Sequence, residues 1–336
     1  TLCRCGGRPD SNMHCTGAKS MKATKQGRII KGIGGFYTVL ADDGSTCVCK
    51  ARGLFRKQAK TPLVGDIVEF SYDEEREKRE RTASESFCDA AHTAGGSNGY
   101  LMNLLPRKNE LIRPAAANID RLLIVVAASR PEPDLLLADK LLVCCEKLKI
   151  DPVIVINKCD EDAEGSAERI AAEYERTGYR IHRVSAAGGW GIAELKAELE
   201  DAAVCLAGQS AVGKSSLLNA LLPGIELKVG SLSEKTERGR HTTRHTELIP
   251  VGNSGAVLDT PGFSLLDNIE IEPREIKNCY PEFRAVRGEC RFNGCIHVSE
   301  PGCAVKKGGE NVISRGRYER YVHLVKEAEE NKRNRF

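Results

Sequence analysis

The segment Gly208-Gln209-Ser210-Ala211-Val212-Gly213-Lys214-Ser215 constrains the fold of this chain more than any other. It matches G-x-x-x-x-G-K-[ST], follows the strand-like run Val204-Cys205-Leu206-Ala207 and opens a helical pattern. In that context the pattern is a phosphate loop. Glycines let backbone N–H groups wrap phosphate oxygens, and the helix N-terminus adds a positive dipole. Lys214 is placed to reach the β- and γ-phosphates, and the Ser215 hydroxyl to ligate Mg²⁺, with Ser216 following in the same turn. Such a loop needs a parallel sheet behind it, so the flanking sequence should alternate strands and helices.

It does so from about residue 111. Residues 122–128 are a continuous apolar run, as a parallel strand covered on both faces requires. Residues 133–149, 164–176 and 191–201 read as helices, and 153–156 and 180–184 as strands. The pattern is that of a doubly wound α/β sheet. No apolar run approaches the ~20 residues of a membrane span, and no export signal is visible.

Four further segments turn the phosphate loop into a nucleotide site. Asn157-Lys158-Cys159-Asp160 ends the 153–156 strand, where ligands bind in open α/β sheets. The Asp160 carboxylate can accept from guanine N1–H and N2–H₂, a pair that adenine cannot supply, and a buried acceptor of this kind can reject the wrong base by ~10⁴-fold. Ser185-Ala186 follows the next strand and would back the base through the Ala186 N–H. Asp259-Thr260-Pro261-Gly262 follows Ala256-Val257-Leu258. Asp259 can hold Mg²⁺ through water, and the Gly262 N–H can sense the γ-phosphate. Between the two phosphate-facing segments lies Arg240-His241-Thr242-Thr243-Arg244, in which Thr243, rather than Thr242, is expected to complete the Mg²⁺ shell. GTP-binding domains usually run phosphate loop, switch threonine, D-x-x-G, N-K-x-D, S-A. Here N-K-x-D and S-A come first, the order produced when the old termini are joined and the chain is cut elsewhere. The D-x-x-G switch then leads straight into the C-terminal segment.

That segment carries Cys290, Cys295, His297 and Cys303, spaced C-x₄-C-x-H-x₅-C. Three thiolates and one imidazole suit one closed, tetrahedral, structural Zn²⁺ site. Cys279 breaks the spacing and is left out. The chain has 14 cysteines; with no export signal a reducing cytoplasm is expected, and Cys47, Cys49, Cys144, Cys145 and Cys205 lie in apolar segments and read as core.

Ahead of the α/β region, residues 22–72 show short β-like runs broken by glycine, with Asp42-Asp43-Gly44 as a hairpin turn. A small barrel such as an OB-fold is expected. Residues 21–72 hold nine Lys and Arg against four Asp and Glu, a basic surface suited to nucleic acid. Aromatics are 5% of the chain, so a surface made mainly of stacked rings is not expected. Residues 1–20 read as an extension without fixed structure and 73–99 as a mobile insertion. A last barrel strand is expected through 101–105 and a final helix over 314–330.

The combination resembles the RsgA (YjeQ) family of circularly permuted GTPases. It is carried by Leu105-Pro106-Arg107-Lys108-Asn109-Glu110-Leu111, Asn157 to Asp160, Gly208 to Ser216, Gly239-Arg240-His241-Thr242-Thr243, Asp259-Thr260-Pro261-Gly262 and the four cluster residues, over about residues 22–330. The resemblance implies a multi-domain α/β protein: an N-terminal OB-fold barrel that binds RNA (21–110), a central circularly permuted GTPase domain (111–268) and a C-terminal zinc-binding α-helical domain (269–336). It implies hydrolysis of GTP to GDP in late maturation of the small ribosomal subunit, with rRNA binding and turnover stimulated by the subunit. The alternative is a nucleotide-gated RNA-binding protein whose hydrolysis is incidental. A cytoplasmic monomer without membrane contact is expected. Phe263 follows Gly262 and cannot orient water; the resemblance makes His241 the candidate for that role, with His245 as runner-up.

Overall fold

The computed structural model describes residues 23–53, 55, 60–72, 99–112, 114–223, 246–252, 254–259 and 271–334. The expected 1–20 extension, nearly all of the 73–99 insertion, and His241, Thr243, His245, Gly262 and Phe263 lie outside the described residues.

Five strands come first: β1 (Ala23–Ile33), β2 (Phe36–Ala41), β3 (Thr46–Ala51), β4 (Ile67–Tyr72) and β5 (Gly99–Leu104). They pair in the order β1-β2-β3-β5-β4, and β4 returns to β1, so the sheet closes into a barrel. Every pairing is antiparallel except β3 with β5. Alternation fills the interior with Ile29, Val39, Cys49, Val68, Phe70 and Leu101. Within the barrel β1 serves two neighbours, β2 and β4, and must bend to do it. A register shift between Ile29 and Lys31 and the bare backbone of Gly27 allow the bend: a Cβ there would lie 2.4 Å from the Leu40 carbonyl oxygen.

The segment after β5 fastens the barrel to the α/β sheet. β6 (Glu110–Leu111) and β7 (Ala116–Ala117) form a short hairpin. The fully buried Asp66 accepts from Leu63 N at 2.7 Å and from Arg107 Nε and Nη2 at 2.7 and 2.8 Å, a two-pronged pair. Asn109 exchanges both hydrogen bonds with the Ile119 backbone at 2.8 and 2.9 Å, and Asn118 bonds the Gly65 carbonyl and the Lys108 N–H.

The α/β region then runs β8 (Arg121–Ala127), α1 (Leu135–Leu148), β9 (Asp151–Asn157), α2 (Ser166–Tyr174), β10 (Arg180–Arg183), α3 (Ile192–Lys196), β11 (Ala203–Ala207), α4 (Lys214–Leu221), β12 (Glu247–Val251) and β13 (Gly255–Asp259). The strand order is β10-β9-β8-β11-β13-β12, parallel except for β12. Side chains alternate between two cores, Leu122, Ile124 and Ile154 on one face and Leu123, Val125, Val155 and Val204 on the other. β12 also meets β1 at Lys31 and Glu247, whose side chains pair at 2.9 Å, so barrel and sheet are continuous.

One local difference from the sequence-based expectation has a clear cause. The 191–201 helix stops at Lys196 and tightens to a 3₁₀ turn, Ala197–Leu199, because Glu200 turns extended and Asp201 takes a left-handed φ of 53° to enter β11. β12 carries only a weak strand signal because Pro250 lies within it. The proline is tolerated because it lies past the single point where β1 pairs.

The chain ends in 3₁₀ turns, Ile276–Cys279 and Pro281–Val286, then α5 (Ala304–Gly308) and α6 (Arg315–Arg333). Tyr280, Phe283, Val305, Ile313 and Tyr321 form its core. A buried ion network joins it to the α/β region. Arg317, 1% exposed, pairs with Asp139 of α1 and with Glu282, and Arg320 pairs with Asp139 and Glu173. The Tyr174 hydroxyl donates to Asp139 at 2.9 Å, and the Arg317 guanidinium lies over the rings of Tyr174 and Tyr280.

Candidate functional site

The parallel strands deliver their carboxyl ends to one edge of the sheet. There β11 hands the chain to residues 208–213, and α4 starts at Lys214. Three residues of this turn have positive φ: Gly208 at 141°, Ala211 at 64° and Gly213 at 96°. A Cβ on Gly208 would stand 2.1 Å from the Val125 carbonyl oxygen, and one on Gly213 would stand 2.4 Å from Nδ2 of Asn157. Both positions need glycine for space as well as for dihedral. Lys214 Nζ donates to the carbonyls of Gly208 and Gln209 at 2.8 and 2.7 Å, which holds the ammonium over the loop backbone. Burial pulls that ammonium below the usual lysine range. Ser210, Ala211 and Ser216 are exposed, Gln209 and Ser215 half-buried, and Val212 fully buried as the anchor of the loop.

Asn157, the last residue of β9 and 1% exposed, ties the site together. Its Nδ2 donates to the Val212 carbonyl at 2.8 Å, and its Oδ1 accepts from Ala186 N at 3.1 Å. One side chain thus links the phosphate loop to the N-K-x-D strand and to the Ser185-Ala186 turn. The Ala186 N–H, expected from sequence to back the base, donates here to Asn157 Oδ1. Lys158 takes a left-handed φ of 62° and its Nζ donates to the Arg130 carbonyl at 2.7 Å. Cys159 N donates to the Val184 carbonyl at 3.1 Å, and burial raises its thiol above the usual range. Asp160 sits in the 3₁₀ turn Cys159–Glu161 with its side chain exposed. Ser185 is buried, and its Oγ accepts from Gly188 N at 2.8 Å, which shapes the turn that carries Ala186. Asp259 closes β13 at the same edge of the sheet. The bridging role of Asn157 emerges only from the structure; in sequence it shows as the head of N-K-x-D at the carboxyl end of the apolar 153–156 run.

The Ser215 hydroxyl at this edge is a hard oxygen ligand of the kind Mg²⁺ takes. It fits that ion by donor chemistry.

The second cluster is compact. Cys290, Cys295, His297 and Cys303 place one ligand atom each within 4.8 Å of all the others. Their Sγ atoms lie 3.6, 3.4 and 3.4 Å from His297 Nδ1. Zn–S and Zn–N bonds of ~2.3 and ~2.0 Å at tetrahedral angles require an S···N edge of about 3.5 Å, so the set fits Zn²⁺. His297 takes φ 63° to turn its ring inward, where it meets the Phe283 ring edge-on at 5.0 Å. Cys295 Sγ accepts from His297 N at 3.4 Å and Cys290 Sγ from Ala304 N at 3.3 Å, contacts that favour thiolates. Burial, followed by the neighbouring Cys303 thiol, pushes the Cys295 thiol up to about 12, so a thiolate there calls for a cation. Cys279 is buried apart from the cluster.

Comparison with known proteins gives this arrangement a family. The RsgA GTPase family model matches residues 104–269 and the RsgA N-terminal domain model residues 26–78. A Caldanaerobacter subterraneus protein named small ribosomal subunit biogenesis GTPase RsgA is 44% identical over 312 residues, covering 93% of this chain and 98% of its own. The chain belongs to the RsgA GTPase family. An RsgA of Geobacillus sp. is 41% identical over 91% of this chain and 98% of its own length. The crystal structure of YjeQ from Thermotoga maritima matches with a TM-score of 0.75 at 36% identity, over 91% of this chain and 99% of that one. The structure of YloQ, a circularly permuted GTPase, matches at 0.72 and 34%, over 94% and 98%. As an RsgA GTPase the chain is a GTP hydrolase. Its fold is an OB-type five-stranded barrel, a circularly permuted GTPase sheet and a C-terminal segment with a Cys/His cluster that could hold zinc. No helix among the described residues is long and apolar enough to cross a membrane.

Proposed function

We propose that this RsgA GTPase acts in late maturation of the small ribosomal subunit, binds its rRNA through the barrel and hydrolyses GTP faster when seated on the subunit. The 44% identity over 93% of the chain to a protein named for that process carries the reading. We divide the chain at 21–110, 111–268 and 269–336; the barrel, the permuted sheet and the Cys/His segment support that division. A cytoplasmic monomer fits a chain whose partner is the subunit.

We assign the following roles at the nucleotide site. Backbone N–H groups of 208–213 and Lys214 bind the phosphates, with Gly208, Gln209, Ser210, Ala211, Val212, Gly213, Ser215 and Ser216 around them. Asp160 selects guanine, while Asn157, Lys158, Cys159, Ser185 and Ala186 shape the base pocket around it. Ser215, with Thr243 and Asp259, would hold Mg²⁺, and Gly262 would sense the γ-phosphate. When bound, Mg²⁺ neutralises charge on the β- and γ-phosphates. Lys214 acts on the same charge from the protein side, and His241 positions the attacking water. The Cys/His cluster holds one structural Zn²⁺, because four protein ligands leave no open position.

Sedimentation with purified small subunits tests the reading. The chain should co-sediment with subunits more in the presence of a non-hydrolysable GTP analogue than with GDP, since a switch must bind its target differently in its two states. Equal, weak binding in both states would remove the subunit as partner.

A further inference from the structure

Phe36, Lys50 and Tyr100 form one row across the outside of the barrel. Phe36 stands opposite Lys50 in the β2–β3 ladder, and Lys50 stands opposite Tyr100 in the β3–β5 ladder. Side chains at paired positions share a face. Their neighbours Cys49 and Leu101 point the other way, into the barrel core. Phe36 is 36% and Tyr100 39% exposed, so both rings are open to solvent in part. Lys50 Nζ lies 4.9 Å from the centroid of the Phe36 ring. Lys25 and Lys31 are neutralised by Asp43 and Glu247, whereas among the described residues Lys50 has no carboxylate partner.

We propose that this row is a stacking platform for a single-stranded RNA segment, with one base on Phe36, one on Tyr100 and the phosphate between them on Lys50. The inference rests on the rRNA-binding reading and names its chemistry. Every base has a π-face, so two rings in register with a cation between them hold RNA without reading its sequence. The surrounding charge is complementary, because residues 21–72 carry nine basic against four acidic side chains. The face of the early strands is also where OB-folds carry oligonucleotides. A chain poor in aromatics does not build a broad ring surface, but two rings suffice for two nucleotides. The rings and Lys50 are far apart in sequence, and only the β2-β3-β5 pairing brings them together.

Fluorescence anisotropy of a fluorescein-labelled oligouridylate titrated with the full chain tests the platform. Phe36→Ala and Tyr100→Ala should each weaken binding by about 5- to 100-fold, and Tyr100→Phe should retain it, because the ring remains. Lys50→Ala should weaken binding and lower the slope of log affinity against log salt by about one. GTP turnover of the free chain should be unchanged in all four variants. Wild-type RNA affinity in both ring-deleted variants would overturn the platform. If those variants keep RNA affinity yet lose subunit binding, the row faces a protein, which also overturns it. A wild-type chain that binds subunits but no oligouridylate defeats the platform and leaves the subunit reading standing; one that binds neither defeats both.

Discussion

Asn157→Ala is the sharpest perturbation of the nucleotide site. The side chain is 1% exposed and makes two hydrogen bonds, to the Val212 carbonyl at 2.8 Å and from Ala186 N at 3.1 Å. Truncation leaves both backbone groups without their partner. At about 1–3 kcal/mol for each group left unpaired, the change costs about 2–6 kcal/mol in all. Because Val212 anchors the phosphate loop and Ala186 belongs to the base-side turn, about 2 kcal/mol of this should appear as weaker nucleotide binding. That is roughly a 30-fold rise in the GTP dissociation constant. Asn157→Asp keeps the acceptor for Ala186 but sets a carboxylate against the Val212 carbonyl, so it should bind no better than the alanine variant. Titration with a fluorescent GTP analogue, beside thermal melting of both variants, measures the effect. Wild-type GTP affinity in Asn157→Ala would refute the idea that this amide holds the loop in its binding shape.

Asp160→Asn exchanges an acceptor for an amide that can donate, so GTP affinity should fall and xanthosine triphosphate affinity rise in direct titrations. Lys214→Ala and Ser215→Ala should each remove most phosphate release while leaving the circular dichroism spectrum unchanged. Asp139→Ala strips Arg317, 1% exposed, and Arg320 of a shared buried carboxylate, and should destabilise the chain by about 3–5 kcal/mol in urea unfolding. A zinc chelator, or Cys295→Ser, should open the 290–303 segment to protease, because zinc contributes ~10–16 kcal/mol to folding small sites of this kind; nucleotide titration should show the GTPase sheet still binding.

Motifs whose chemistry is local in the chain are legible in the sequence alone. The phosphate loop, the N-K-x-D strand end and the C-x₄-C-x-H-x₅-C spacing each announce themselves in a short stretch, and the alternation of apolar runs marks out the α/β sheet. Contacts between distant residues are not legible there. Nothing in Asn157 alone says that its amide meets Val212, 55 positions away. Asp139 and Arg317 are 178 positions apart and look like ordinary surface charges until α6 packs on α1. β1 reads as a three-residue run because Gly27 and Lys31 interrupt its apolar pattern, yet it extends over Ala23–Ile33, since pairing with two neighbours, not side-chain alternation, fixes its length.

Phosphate release from GTP by the full chain, measured alone and with purified small ribosomal subunits, tests the central claim most directly. The account predicts slow turnover by the free chain, a marked rise with subunits, and loss of that rise in Lys214→Ala. The same rate with and without subunits, or a rise that survives Lys214→Ala, would contradict it.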